Sequence, residues 1–509
     1  MMDLQPKDIE LKHIDDVDAD TKPQPEAQDI KTERRVIWKC DVHVVPVLMV
    51  LYLLAFLDRI NIGNARLQGL EADLGMEGND YNLALFIFFI PYILCEIPCN
   101  LIMKRLAPST WLSSIMALWG AFRPWLMMYC SFGNWLIELG ITTICQGFVQ
   151  NNGGLMTCRF FIGMFEAGFL PGCVYLISMY YKRYELQWRL TLFFASAILA
   201  GAVSGLLAYG MAYMDGVRGY SSWRWIFILE GLATTVIAII AKFFIVDWPD
   251  KARFLNDAER VILHSRLQND QGGYRMDRLD KTAVRRILMD AKIYLGTIMY
   301  LGVLNTGYAA SFFTPTILKE MGWTSLQAQV MSVPVYVVAA AVTLCTSLLS
   351  DRCKHRFGFA MAGCVIATVG YIILLAQDFV TTGVKYFALY AVVGGGYIAQ
   401  PIFIGWLSNN MSGHYKQAIA SAVQIGFGNC GGFVASNIFI DSEAPYYRSG
   451  YGTCLALIWV CVVAATVLFF MLVRENRSRE KGKRDYLLRL DEQEVGNLGD
   501  SHPHFRFTY

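Results

Sequence analysis

Arg159 and Glu166 stand seven residues apart in an apolar, helix-length stretch that runs from Cys158 through Phe160, Phe161, Ile162 and Phe169 to Gly172. At 3.6 residues per turn this spacing is close to two turns, so both charges fall on nearly one face of a helix. Asp58 and Arg59 end a second, otherwise apolar segment. A charge at mid-membrane costs about 2.5–3.5 kcal/mol on insertion scales unless it faces protein or water and finds a partner. The chemistry open to such groups is charge pairing, proton relay or the holding of an ion.

The elements that must position these residues follow from composition. The chain has 509 residues, of which 55% are hydrophobic and 17% charged, and its mean hydropathy is +0.37. Soluble domains carry about a quarter charged residues, so this balance predicts a polytopic membrane protein. A net charge of +2 gives no basic field for nucleic acid, and no nucleic-acid partner is expected. The thirteen cysteines include no CxxC pair and read as small hydrophobes of a membrane core, not as metal ligands or disulfides. The seven histidines are scattered without ligand spacing, and no phosphate-cradling glycine loop or nucleophile elbow is present; these features argue against an enzyme, a metal site or a cofactor.

Apolar segments of about 20 residues, enough to span the hydrocarbon core, begin near His43, Asn82, Trp111, Gly154, Leu190, Trp223, Tyr294, Gln327, Gly358, Val384, Ala418 and Gly452. They predict an all-α membrane protein of about twelve spans in two six-helix bundles. One bundle is placed at 43–246 and the other at 293–473, joined by a polar linker at 247–292 in which Asn256 and Glu259 have capping-box spacing. Residues 1–42 and 474–509 are expected to be tails, the first of them disordered and lacking a signal-peptide core.

Lys104, Arg105, Lys182, Arg183, the linker, Arg352, Lys354, Arg356, Lys416 and the tail after Arg474 fall on one side. Glu71, Asp73, Asp215, Asp378 and Asp441 fall on the other. The basic side is expected to be cytoplasmic, with both termini there. Residues 121–143 disturb this order, because they make the third apolar region too long for one span while an additional span would reverse every later loop. Joining Trp119-Gly120 to Ile144-Cys145 restores one span. The segment is read as a retained intron, with a re-entrant loop as the alternative.

Several stretches together resemble the major facilitator superfamily and, within it, the anion:cation symporter family, in particular the fungal allantoate, nicotinate and pantothenate permease branch. These are Asp58-Arg59-Ile60-Asn61-Ile62-Gly63-Asn64-Ala65, the Arg159 to Gly172 stretch, Trp223-Arg224-Trp225-Ile226-Phe227-Ile228-Leu229-Glu230-Gly231 and Ser350-Asp351-Arg352-Cys353-Lys354-His355-Arg356. The counterpart of the last motif, around Lys104 and Arg105, lacks its aspartate. Gly201-Ala202-Val203-Ser204-Gly205 lacks the proline of drug:proton antiporters, and its small residues read as a helix-packing face.

The resemblance implies two bundles that alternate access to a mid-membrane site. It implies that Arg59 binds the substrate anion, with Asn429 of Gly428-Asn429-Cys430-Gly431-Gly432 as a substrate contact and Arg159 beside it. Glu166 is the implied proton carrier, with Asp58 taking part in coupling and Arg159 pairing with Glu166 in one state. Asp351 and Arg352, with Glu185 and Arg189 at i,i+4 spacing, are assigned to the cytoplasmic gate. Asn305, Tyr308 and Gln400 are polar groups for which a structural hydrogen bond is the favoured role. The expected activity is proton-coupled import of a small organic anion by a monomer in the plasma membrane. Export of a fungal secondary metabolite and a receptor that does not transport are the alternatives.

Overall fold

The computed structural model describes residues 27–103, 107–121, 142–271, 281–412, 414–489, 494–495 and 498–509. Among the described residues the chain forms nineteen α-helices and no strand. In chain order α1 is Ala27–His43, α2 Val45–Leu67, α3 Leu70–Leu74, α4 Asp80–Met103, α5 Pro108–Ala121, α6 Thr142–Phe148, α7 Asn152–Glu166, α8 Phe169–Ser178, α9 Arg183–Ala212 and α10 Ser222–Ala241. There follow α11 Asp257–Gln271, α12 Lys281–Leu288, α13 Ala291–Glu320, α14 Ser325–Cys353, α15 Arg356–Leu375, α16 Thr382–Asn409, α17 His414–Gly428, α18 Cys430–Asn437 and α19 Arg448–Glu480. Eight helices or collinear helix pairs among the described residues are long and apolar enough to cross a membrane.

The twelve expected spans correspond to α2, α4, α5 with α6, α7 with α8, α9, α10, α13, α14, α15, α16, α17 with α18, and α19. The paired entries have local causes. Between α7 and α8 the break falls at Ala167 and Gly168, four residues ahead of Pro171, which has no N–H to give the Ala167 carbonyl. Helices α5 and α6 both lie against α7 and α10 and touch each other. They hold fourteen and seven residues, together the length of one span. The 121–143 segment read as an intron interrupts this third span, and its residues 122–141 lie outside the described residues.

The two halves meet along three seams: α2 against α13, α9 against α14 and α16, and α4 against α17 and α18, with α8 also against α17. The small residues of the fifth span make the second seam close. A Cβ on Gly201 would lie 2.8 Å from the Tyr336 ring, and one on Gly205 would lie 2.6 Å from the Gln329 carbonyl oxygen.

The N-terminal segment departs from expectation. Residues 27–42, expected to be disordered, are helical in α1, because partners distant in sequence neutralise its charges. Glu33 accepts from Lys182 (2.9 Å) and Arg266 (2.5 Å), Lys39 pairs with Glu259 (2.6 Å), and Asp41 takes both arms of Arg189 (2.8 and 2.9 Å). Glu259 also accepts from the Asn256 backbone N–H (3.1 Å), which is one half of the expected capping box.

Residues 498–509 pack onto the ends of second-half helices. Asp500 is buried between Lys292 and Lys416, Arg479 donates to the carbonyls of His502 (3.1 Å) and Phe505 (2.9 Å), and Trp406 donates to that of Thr508 (2.9 Å).

Candidate functional site at the meeting of the two halves

Helix α2 enters the centre of the molecule with Asp58, Arg59, Asn61 and Asn64 all buried. The Arg59 guanidinium is the hub. It forms an ion pair with Glu166 at the end of α7 and donates to the Tyr308 hydroxyl of α13. Tyr308 in turn donates to Asn429 Oδ1 (2.8 Å), and Asn429 Nδ2 closes onto the Ile425 carbonyl (2.8 Å). Aromatic rings surround the charge: the guanidinium carbon lies 5.0 Å from the Tyr92 ring centre, 5.1 Å from Phe88 and 5.8 Å from Phe56. Such contacts stabilise a desolvated cation.

One hydrogen-bonded chain, Glu166–Arg59–Tyr308–Asn429, therefore crosses from the first half to the second. Each half contributes an interrupted helix to it, since Glu166 closes α7 and Asn429 separates α17 from α18. Arg59 Nε and Glu166 Oε2 have no hydrogen-bond partner among the described residues. The centre therefore retains an unused donor and an unused acceptor.

Beside this chain is a small cavity lined by Tyr52, Phe56, Leu170, Tyr300, Tyr308 and Gln400. Gln400 thus reaches the cavity. Asn305 instead donates to Cys454 Sγ (3.2 Å) within the second half.

Two expected pairings are corrected. Arg159 and Glu166 are both buried, yet the carboxylate goes to Arg59, 107 positions away. Arg159 donates to the Arg59 backbone carbonyl (3.2 Å) and so braces α2 from the side. Glu185 and Arg189 do not pair as i,i+4 neighbours. Glu185 accepts from Arg266 and Arg189 turns to Asp41, because α1 and α11 bring opposite charges to that face.

At the gate motif Asp351 faces Arg356 (3.8 Å), and Arg356 donates across the seam to Gln187 of α9. Arg352 is exposed. On the acidic face Arg66 pairs with Glu71 (2.9 Å) and reaches Asp441 in the other half (2.6 Å), and Asn82 donates to the Phe439 carbonyl (3.1 Å). The two halves thus touch at the basic face and at the acidic face.

Asp58 is fully buried, and neither of its carboxylate oxygens has a hydrogen-bond partner among the described residues. Near it Glu230, from the Trp223 to Gly231 stretch, accepts from Asn61, while Ser204 donates to Asn61 (2.8 Å) and Asn64 donates to Ser204 (2.6 Å). This network joins α2, α9 and α10, and it gives Glu230 and Ser204 a role that spacing did not show. Glu96 of α4 is the other buried acid that sequence reasoning passed over. The available signal was the one that selected Glu166, a carboxylate well inside an apolar span.

Two halves of six spans, packed around one buried charge chain, define a membrane transporter of the alternating-access kind. Residues 48–436 match the Major Facilitator Superfamily, and the chain belongs to it. It is 36% identical over 452 residues to the uncharacterised transporter C1002.16c of Schizosaccharomyces pombe, covering 89% of this chain and 86% of that one. It is 32% identical to the MFS transporter prlL of a fungal species (strain NRRL 50135), over 92% and 93% of the two chains. Among solved structures, the proton:xylose symporter XylE superposes with a TM-score of 0.66 at 12% identity, over 86% of this chain and 96% of that one. This last likeness concerns the fold.

Proposed function

We propose that the protein is a proton-coupled importer of a small organic anion, a ring-bearing carboxylate of the nicotinate kind or a pantothenate- or allantoate-like relative. The observation that carries this reading is that one buried guanidinium, Arg59, holds an internal carboxylate, Glu166, while contacting the Tyr308–Asn429 pair of the opposite half. A substrate carboxylate presents the same two oxygens as Glu166 and forms the same charge-assisted bonds. A proton on Glu166 frees Arg59 for that anion, so loading of proton and substrate are linked in one exchange of partners. The adjacent cavity is lined by the aromatic side chains of Tyr52, Phe56 and Tyr300, which offer faces for a substrate ring to stack on once the halves move apart.

Asp58 is proposed to share the coupling. Asp351 with Arg356 and Gln187, and Arg189 with Asp41, close the cytoplasmic gate. In this reading the protein sits in the plasma membrane, and the basic loops favour an orientation with α1, α11 and the 498–509 segment on the cytoplasmic side.

The test is uptake of radiolabelled nicotinate, pantothenate and allantoate into cells expressing the chain, at acidic and neutral external pH. Acid-stimulated accumulation of one anion, lost in Arg59→Ala and uncoupled from pH in Glu166→Gln, is expected. Accumulation against a gradient by Glu166→Gln refutes the assigned proton carrier. Absence of uptake by protein that reaches the surface refutes import.

A further inference from the structure

Glu96 is a buried acid that the exchange at Arg59 does not use. It lies on α4 between Pro91 and Pro98, is 0% exposed, and neither carboxylate oxygen has a hydrogen-bond partner among the described residues. Tyr92, one turn earlier on α4, is the ring stacked on Arg59 at 5.0 Å. Across the seam Gly426 stands about one turn before Asn429 on α17. A Cβ at Gly426 would lie 3.2 Å from the Glu96 carboxyl carbon and 3.2 Å from Oε2. Glycine thus leaves the carboxyl its space, and any larger residue would press on it. Both helices place Glu96 about one turn from the Arg59 chain, on the side of the basic face.

Besides Tyr92 and Cys99 on its own helix, the titratable or polar groups facing Glu96 are Arg59 from α2, Tyr300 and Tyr308 from α13, and Asn429 and Cys430 at the α17–α18 break. The single charge among these, on Arg59, is engaged by Glu166. Burying a carboxylate anion with no partner is costly, so this group is neutralised by a proton or by a cation that reaches it. The described residues hold no cluster of three or more acids, cysteines or histidines that could bind a metal.

We propose that Glu96 is a second proton-carrying carboxyl, between the central site and the basic face. This rests on the reading of Glu166 as the proton carrier. The step is a proton transfer: Glu166 loses its proton and returns as an anion to Arg59, the Glu96 carboxylate gains that proton, and water at the basic face takes it when α4 and α17 part.

The test uses the purified full chain in lipid nanodiscs and infrared difference spectra taken between about pH 5 and about pH 9. Wild type should show a carboxylic-acid C=O band that Glu96→Gln loses and Glu166→Gln retains. An unchanged band in Glu96→Gln overturns the proposal, as does a Glu96-dependent band that sodium chloride displaces at fixed pH.

Should Glu96→Gln fail to fold, dicyclohexylcarbodiimide labelling of the wild type, mapped by mass spectrometry, reads the same property. Label on Glu96 that falls as pH rises supports the proposal. Label on other buried acids with none on Glu96 overturns it. Proton-coupled uptake by Glu166→Gln, with the Glu96 band intact, would remove the role given to Glu166 and leave that of Glu96 standing.

Discussion

Tyr308→Phe removes one oxygen from the middle of the chain that joins the two halves. That hydroxyl accepts from Arg59 and donates to Asn429 at 2.8 Å, and it is fully enclosed among Phe89, Phe312 and the guanidinium. A hydrogen bond to a charged group contributes about 1.5–3 kcal/mol and a neutral one about 0.5–1.5 kcal/mol. Only the bond from Arg59 joins the two halves, since Tyr308 and Asn429 both belong to the second, so its loss favours separation of the halves by roughly 1.5–3 kcal/mol, or about 10- to 150-fold. The phenyl ring keeps its packing, so the fold should survive.

Hydrogen exchange measured by mass spectrometry on peptides covering α17 and α18 reads this opening directly. These amides should exchange at least about 10-fold faster in Tyr308→Phe than in wild type, the lower bound set by the lost bond between the halves. Asn429→Ala, added to Tyr308→Phe, should accelerate exchange little further, because the bond it removes is already gone. Exchange within about threefold of wild type in the single variant would refute the reasoning, since that is less than the weakest bond to a charged group would give.

Two further outcomes are expected. His502 in the docked segment is pushed down to about 4 from 6.5, first by burial and then by the neighbouring His504 and Arg479 charges. Its protonation therefore favours release, so the stabilisation of docking linked to this group is fully present above about pH 6.5 and is lost as pH falls towards about 4. At about pH 5 the exchange of residues 498–509, corrected for intrinsic rates, should rise about 30-fold over neutral pH, and His502→Gln should abolish that rise. Asp500 does not share this window: burial acts to raise it, Lys292 and Lys416 together outweigh burial, and its titration is held down at about 2. For the third span, deletion of residues 121–143 should raise surface expression and uptake, and the spliced transcript should lack the corresponding codons. A message that encodes Arg123 through Glu138 refutes the intron reading.

The spans and the buried charges were legible because lipid imposes a length of about 20 apolar residues and makes each internal charge conspicuous. Partners were not legible. Helical periodicity puts Arg159 and Glu166 on one face, but it does not say that Arg59 lies opposite, and that contact decides the pairing. Tyr308 looked structural for the same reason, since its two partners come from helices far away in sequence. Glu185 and Arg189 satisfied a local rule that is worth only a few tenths of a kcal/mol, and α1 and α11 supplied better partners. Helix α1 itself was hidden by its polar composition, because its order depends on charges more than a hundred positions away.

Each end of the described chain covers its own half. Helix α1 is fastened to α9 and α11, whereas the 498–509 segment is fastened to α13, α16, α17 and α19, and α12 joins that second group through Ile287. The boundary between the two sets of ties falls between α11 and α12. Each half is thus buttressed separately at its basic rim, as a beam with its own end plate. A break in the backbone between α11 and α12 cuts none of these ties.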